Sequence, residues 1–193
     1  MKSTSKTPDH FEELHDRIVR SLMKRFEMRV ITNVWRGDYV ECMIAQVLGK
    51  DWTLPWEKGE DWASWDIKHR NGAKIEVKQS SARQTWDRDP IAPHRSPSFD
   101  IAPRTGYFES GSKWVEKPGR PADVYVFAWH GERASEITNH TNPDQWRFYV
   151  VAARDLPENQ KTIGLSALKK LASSCGISDL KRTVEDKLDT LRL

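Results

Sequence analysis

The sequence predicts a mixed α/β (α+β) fold, a central mixed β-sheet flanked by helices, and three observations carry that prediction. Helical periodicity marks both ends of the chain, two short runs rich in β-branched and aromatic residues lie between them, and a hairpin signature precedes those runs. At 193 residues, 37% hydrophobic and 31% charged, with nine tryptophans, the chain is predicted to be one globular domain. Residues 1–8 carry no apolar pattern and are expected to form a flexible N-terminus, with the domain running from 9 to 193.

Apolar side chains recur at helical spacing from 9 to 28 (Phe11, Leu14, Ile18, Leu22, Phe26), which predicts an amphipathic helix. A second helix is predicted from Asn33 to Leu48 (Val34, Val40, Ile44, Val47), stopped by Gly49. "DWTLPW" then reads as a short strand closed by Pro55. Residues 82–121 contain six prolines and irregular aromatics, so a long loop system with a short strand pair is expected. "ADVYVFAWH" (122–130) and "WRFYVVAARDL" (146–156) have the length and composition of buried strands. Two helices close the chain: about 166–174, ended by Gly176, and 178–191, with Ser178 as N-cap and Leu180, Val184, Leu188 and Leu191 in one stripe.

No apolar run approaches the roughly 20 residues of a membrane span, and the opening residues lack an apolar signal core, so a soluble cytoplasmic protein without a membrane partner is expected. Cys42 and Cys175 lie in helix-like patterns without metal-ligand spacing and are expected to be reduced and structural. The formal charge is +3, but between Ile67 and Arg120 there are 11 lysines and arginines against 6 acids, a surplus of five. A local excess of this kind suits a phosphate backbone.

The chemistry is concentrated in "DWASWDIKHRNGAKIEVKQSS", residues 61–81. Acid-x-lysine triplets occur four times in the chain, at 66, 76, 179 and 185. The last two fall in a predicted helix, where positions i and i+2 do not face each other. In a strand they do, so Glu76 and Lys78 share a face. Whether Asp66 joins them depends on the turn. A two-residue Asn71–Gly72 turn sets Asp66 opposite Val77. A three-residue loop, Arg70 to Gly72 with Gly72 left-handed, sets it opposite Glu76. Only the longer loop gathers Trp65, Ile67, Ile75 and Val77 on one apolar face, and a buried face pins register, so the three-residue loop is predicted. That register opposes two carboxylates, which is destabilising unless a cation lies between them. A hard divalent cation takes such oxygen ligands, and Mg²⁺ typically combines one or two carboxylates with water and substrate phosphate.

Asp66, nine intervening residues, and Glu76-Val77-Lys78 at the end of a hairpin preceded by a helix resemble the PD-(D/E)XK nuclease superfamily, the restriction-endonuclease-like fold. The resemblance covers about 33–81; Trp65 stands where the motif's name has proline. It implies hydrolysis of DNA phosphodiesters with Mg²⁺ (or Mn²⁺), with Asp66 and Glu76 as metal ligands and Lys78 activating the attacking water and steadying the developing charge. It also implies a further acidic ligand from the preceding helix, at Glu41, and a contribution from Gln79 after the lysine. Asp61, five residues before Asp66, is the competing metal carboxylate.

Arg83, Arg88, Arg95, Arg104, Lys113 and Arg120 are then candidate phosphate contacts, and Trp86 or Trp114 could stack on a splayed base. The six histidines have no ligand spacing and most are expected at the surface, with His69 nearest the site. The competing expectation is a non-catalytic nucleic-acid-binding or assembly module that keeps the hairpin without a metal. A homodimer is one arrangement for either.

Overall fold

The computed structural model describes residues 10–60, 62–87, 96–109 and 113–192; Asp61, Arg88, Arg95, His94 and the N-terminal residues 1–9 lie outside the described residues. A six-stranded mixed sheet forms the middle layer. Its strands, in chain order, are β1 (Trp52–Thr53), β2 (Ile67–His69), β3 (Lys74–Ser81), β7 (Val124–His130), β8 (Trp146–Ala152) and β10 (Ser174–Cys175). They stand side by side in the order β1-β2-β3-β7-β8-β10, with β3 and β7 parallel and the other pairs antiparallel. The predicted mixed sheet flanked by helices is therefore present.

The two central runs of the sequence became β7 and β8 because both of their faces are covered, so continuous apolar composition suits them. Val124, Val126 and Ala128 face one way, with Phe148 and Val150 of β8 and Ile67, Ile75 and Val77 of the hairpin. Helices α2 (Asn33–Leu48) and α4 (Ile177–Asp189) cover that face through Val40, Ile44, Leu48, Leu180, Val184 and Leu188. Tyr125, Phe127, Tyr149 and Val151 face the other way. There they meet Phe99 of β4 (Ser98–Asp100), Ile163 of β9 (Thr162–Gly164) and Leu168 of α3 (Leu165–Leu171). β4 and β9 pair into a small second sheet, and β5 (Tyr107–Glu109) pairs with β6 (Lys113–Val115) as the short strand pair expected in the long loop.

The ends of the chain depart from expectation in four places. Helix α1 (His10–Glu27) forms, but much of its apolar stripe is not buried: Leu14, Ile18 and Leu22 are exposed, and contact with the body is made at its end, where Phe26 meets Trp35 and Tyr39. The last helix starts at Ile177 with Gly176 as N-cap, which places Ser178 inside the first turn. Cys175 lies in β10, because the chain pairs with the edge of β8 between two helices; it and Cys42 are free thiols. His130 and His140 are fully buried, their rings 4.8 Å apart. His140 Nδ1 accepts the Ile31 N–H at 3.1 Å and its Nε2 faces Ser81 Oγ at 2.8 Å, so it ties the start of α2 to the sheet. Burial together with the nearby Arg36 charge holds the His140 pKa down at about 3, a neutral ring suited to that bridge.

No helix among the described residues is long and apolar enough to cross a membrane.

Candidate active site

The hairpin turn is the three-residue one. Ile67 pairs with Ile75 and Lys68 with Lys74, and the ladder closes through His69 N–H to Ala73 O at 2.8 Å. Gly72 holds φ 97°, the left-handed conformation that a loop of this length requires at that position and that glycine adopts without strain. The register that gathers Ile67, Ile75 and Val77 in the core is thus the observed one.

Beyond Ile67 the alternation breaks. Asp66 N–H donates to Ile75 O at 2.9 Å although Ile75 is already the partner of Ile67, so Asp66 and the first residue of β2 together oppose one residue of β3, the arrangement of a β-bulge. The Asp66 carboxylate then accepts the Val77 N–H at 2.7 Å, taking the place of a ladder carbonyl. It lies along the sheet edge and not out on one face. Trp65, predicted on the apolar face, is re-aimed by the bulge to the charged one: the Lys74 ammonium sits 4.0 Å from its ring centre, and Tyr107 packs against it at 6.2 Å.

This placement brings carboxylates together from two layers. Glu76 is only 8% exposed, on the face opposite α2, and Lys78 Nζ lies 2.5 Å from its Oε1. Asp66, Glu76 and Lys78 line one open cleft of about 530 Å³ with Arg104, Tyr107 and Trp62. Burial, then the Glu76 charge, pushes the Asp66 pKa up to about 7, outweighing Lys78 and the Val77 N–H. Glu41, on the third turn of α2, is pushed up to about 8, again by burial first and by the Asp66 charge next. Burial lowers the Lys78 pKa, but the Glu76 and Asp66 charges more than restore it and the net direction is up. The cleft therefore sets two buried carboxyl groups, Asp66 and Glu76, close enough to raise the Asp66 pKa in spite of Lys78 and Arg104 beside them.

Two carboxyl groups held this close fit a hard divalent cation, and Asp66 and Glu76 are the oxygen donors that would serve it; Glu41, expected as a third, does not line the cleft. Among the described residues no three His, Cys, Asp or Glu side chains are already gathered at ligand spacing. Two carboxylates from the protein, completed by water and phosphate, is a usual Mg²⁺ arrangement.

The remaining predicted residues divide. Arg104 lines the cleft, half exposed and 3.6 Å from Asp100. Lys113 is exposed on β6, beside Trp114 of the cleft wall. Arg83 and Arg120 are occupied elsewhere: Arg83 donates to Arg133 O at 3.0 Å, and Arg120 donates to Ile101 O at 2.8 Å and Pro157 O at 2.7 Å, so their guanidinium groups hold loop carbonyls together. Trp86 is exposed but does not line the cleft.

Gln79 also departs from the expected role. It alternates to the α2 side of β3, where its Oε1 accepts from Arg36 Nε at 2.7 Å and its Nε2 donates to Asn33 Oδ1 at 3.0 Å. Arg36 is buried, has no carboxylate partner among the described residues, and donates to Gln79, Asn33, Gln84 and Ile31 O. Gln79 is accordingly a structural anchor for the start of α2. Gln79→Leu is expected to destabilise the protein by about 1–3 kcal/mol, because a buried guanidinium loses an acceptor. The unfolding midpoint should fall by roughly 2–10 °C in a thermal melt.

Two contributors were missed by sequence reasoning. Trp62 lines the cleft four residues before Asp66, and the "DWASWD" repeat of tryptophan beside the acid was its only signal. Tyr125, opposite Glu76 on β7, is a buried phenol whose pKa is raised by burial and by the Glu76 charge, so it is neutral beside the carboxylate. It reads in sequence as one more core aromatic. Comparison of the chain with protein-family models and with curated proteins finds no match.

Proposed function

We propose that the protein is a cytoplasmic, Mg²⁺-dependent endonuclease that hydrolyses DNA phosphodiester bonds, in the manner of the PD-(D/E)XK superfamily that its hairpin resembles. One observation carries the reading: the Asp66 carboxylate, held by the Val77 N–H at the bulge, shares an open cleft with Glu76 and Lys78. Asp66 and Glu76 would hold the cation. When bound, it would polarise the scissile phosphate and lower the pKa of a coordinated water.

The chain's own groups supply the rest. Lys78 Nζ is a charged donor on the same face as Glu76, placed to orient the nucleophile and to stabilise negative charge as it develops on the phosphate. Arg104, at the cleft's rim, is placed to hold a neighbouring phosphate. Glu76, 8% exposed and hydrogen bonded to Lys78, keeps that ammonium on station.

A second reading rests on the same ion pair. Lys78 already neutralises Glu76 at 2.5 Å, as it would in a nucleic-acid-binding module that uses the cleft for phosphate and cuts nothing. A cleavage screen separates the two. Linear, nicked, branched and single-stranded DNA, and RNA, are incubated with Mg²⁺ or Mn²⁺ and in parallel with EDTA. Metal-dependent cleavage of DNA is expected. Equal binding with and without metal, and no cleavage of any substrate, would select the non-catalytic module.

A further inference from the structure

The wall of the cleft opposite the carboxylates is aromatic and open to solvent. Trp62 is 71% exposed, Trp114 49% and Phe108 36%. They form a row, with ring centres 6.5 Å apart from Trp62 to Phe108 and 5.1 Å from Phe108 to Trp114. Large aromatic rings are normally drawn into a core, so three adjacent ones left in a cleft mark a binding surface.

The row is built into the backbone. A Cβ on Gly106 would meet Trp114 Cζ2 at 2.6 Å and Val115 O at 2.4 Å, so only glycine lets the β5–β6 hairpin seat the indole against the loop that carries Arg104. The ring's position is thereby set before any ligand arrives. Arg104 and Lys78 bring positive charge to the same cleft.

Charge for a phosphate beside exposed aromatic rings, tilted 60° and 66° to one another along the row, is the chemistry of a nucleotide whose base is unstacked and can lie on one ring face. A paired and stacked base offers the protein its edges; its face becomes available when the strand is single or the base is splayed out. A cleft of about 530 Å³ is in the range that encloses one small-molecule-sized group.

We propose that the Trp62–Phe108–Trp114 row is a stacking platform for an unpaired DNA base next to the phosphate held by Arg104 and Lys78. The protein therefore selects strands with unpaired nucleotides, whether single-stranded or splayed from a duplex. Placing that phosphate at the point of cleavage rests on the nuclease reading; the stacking itself does not.

The test is binding read without metal, by fluorescence polarisation of labelled DNA in EDTA. The ligands are a short oligothymidylate, an abasic backbone of the same length, a fully paired duplex, and a duplex with an unpaired bubble. The wild type is expected to bind oligothymidylate and the bubble more tightly than the abasic backbone and the duplex. Trp114→Ala and Trp62→Ala should each weaken oligothymidylate binding by roughly tenfold, the range of one base–aromatic stack. Trp114→Phe, which keeps a ring, should recover most of it. Trp62 is so exposed that its loss leaves folding intact, which a thermal melt verifies.

Binding of the abasic backbone as tight as that of oligothymidylate, or unchanged binding by both alanine variants, overturns the platform. Preference for the bubble but not the free strand identifies the splayed base as the source; preference for both admits either. Cleavage with Mg²⁺ is scored separately. If the platform variants lose binding but the wild type cuts nothing, stacking stands and the nuclease reading falls. If the wild type cuts with Mg²⁺ but both alanine variants bind oligothymidylate as the wild type does, the nuclease reading stands and the platform falls.

Discussion

Lys78→Ala is expected to abolish most cleavage while metal binding survives or tightens. Removing one preorganised charge from the position where negative charge develops typically lowers kcat by about 10²–10³-fold. The opposite effect on the metal follows from the ion pair: Lys78 Nζ bonds Glu76 Oε1 and competes with a cation for the charge of that carboxylate. Without the ammonium, Glu76 and Asp66 are left as an uncompensated pair of acids, which a divalent cation relieves. Glu76→Gln, by contrast, should lose cleavage and metal together. The two variants are compared in cleavage rate and in metal titration. Parallel loss of metal affinity in Lys78→Ala would mean that the lysine organises the site and does not compete for it.

Asp66→Asn is expected to stabilise the metal-free protein at pH 8 and to leave it without activity. Asp66 titrates at about 7 in the folded chain against 3.8 for a free side chain, so the folded state binds its proton more tightly than the unfolded state. The sign follows. Below pH 4 both states are protonated and the shift has no effect on stability; as pH rises through that window the unfolded state loses its proton first, and stability falls until the folded group also ionises near 7. Glu41, raised from 4.5 to about 8, acts in the same direction over a window that ends one unit higher. Metal-free wild type should therefore unfold at lower temperature at pH 8 than at pH 5. Asp66→Asn should recover about 1–3 kcal/mol at pH 8 and less than half as much at pH 5, because an amide oxygen still accepts the Val77 N–H but carries no charge. Added Mg²⁺ should stabilise the wild type and not the variant, and its affinity should rise by up to about tenfold per pH unit for each carboxylate that must deprotonate. Calorimetric melts at the two pH values, with EDTA and with Mg²⁺, read all of this. A wild type equally stable at both would contradict the buried charge.

The register was legible in the sequence because it is set by hydrophobic pattern. Ile67, Ile75 and Val77 can share a buried face in one pairing only, and a slip by one residue would turn the whole strand over. The bulge was not legible, since it is fixed by a side chain replacing a backbone acceptor, which no periodicity records. Its consequence, Trp65 on the charged face, was therefore read the wrong way round. Arg83 and Arg120 illustrate the same limit in the loop: composition marks a basic segment, but whether a guanidinium points at solvent or at a neighbouring carbonyl is decided by where the loop folds back. His130 and His140 lack any ligand spacing, yet they meet because β7 and the segment before β8 converge on Trp146. Glu41 was read from its place in a resembling motif; it does not line the cleft, and its pKa is raised by burial first and by the Asp66 charge next.

The central claim is that Asp66 and Glu76, brought together by the bulged hairpin, form one cation site. Titration of the metal-free wild type with Mn²⁺ at pH 8 in a calorimeter tests it most directly. A bound Mn²⁺ whose heat disappears in both Asp66→Asn and Glu76→Gln, while both variants remain folded, is the predicted result. Binding that persists unchanged in both variants would contradict it.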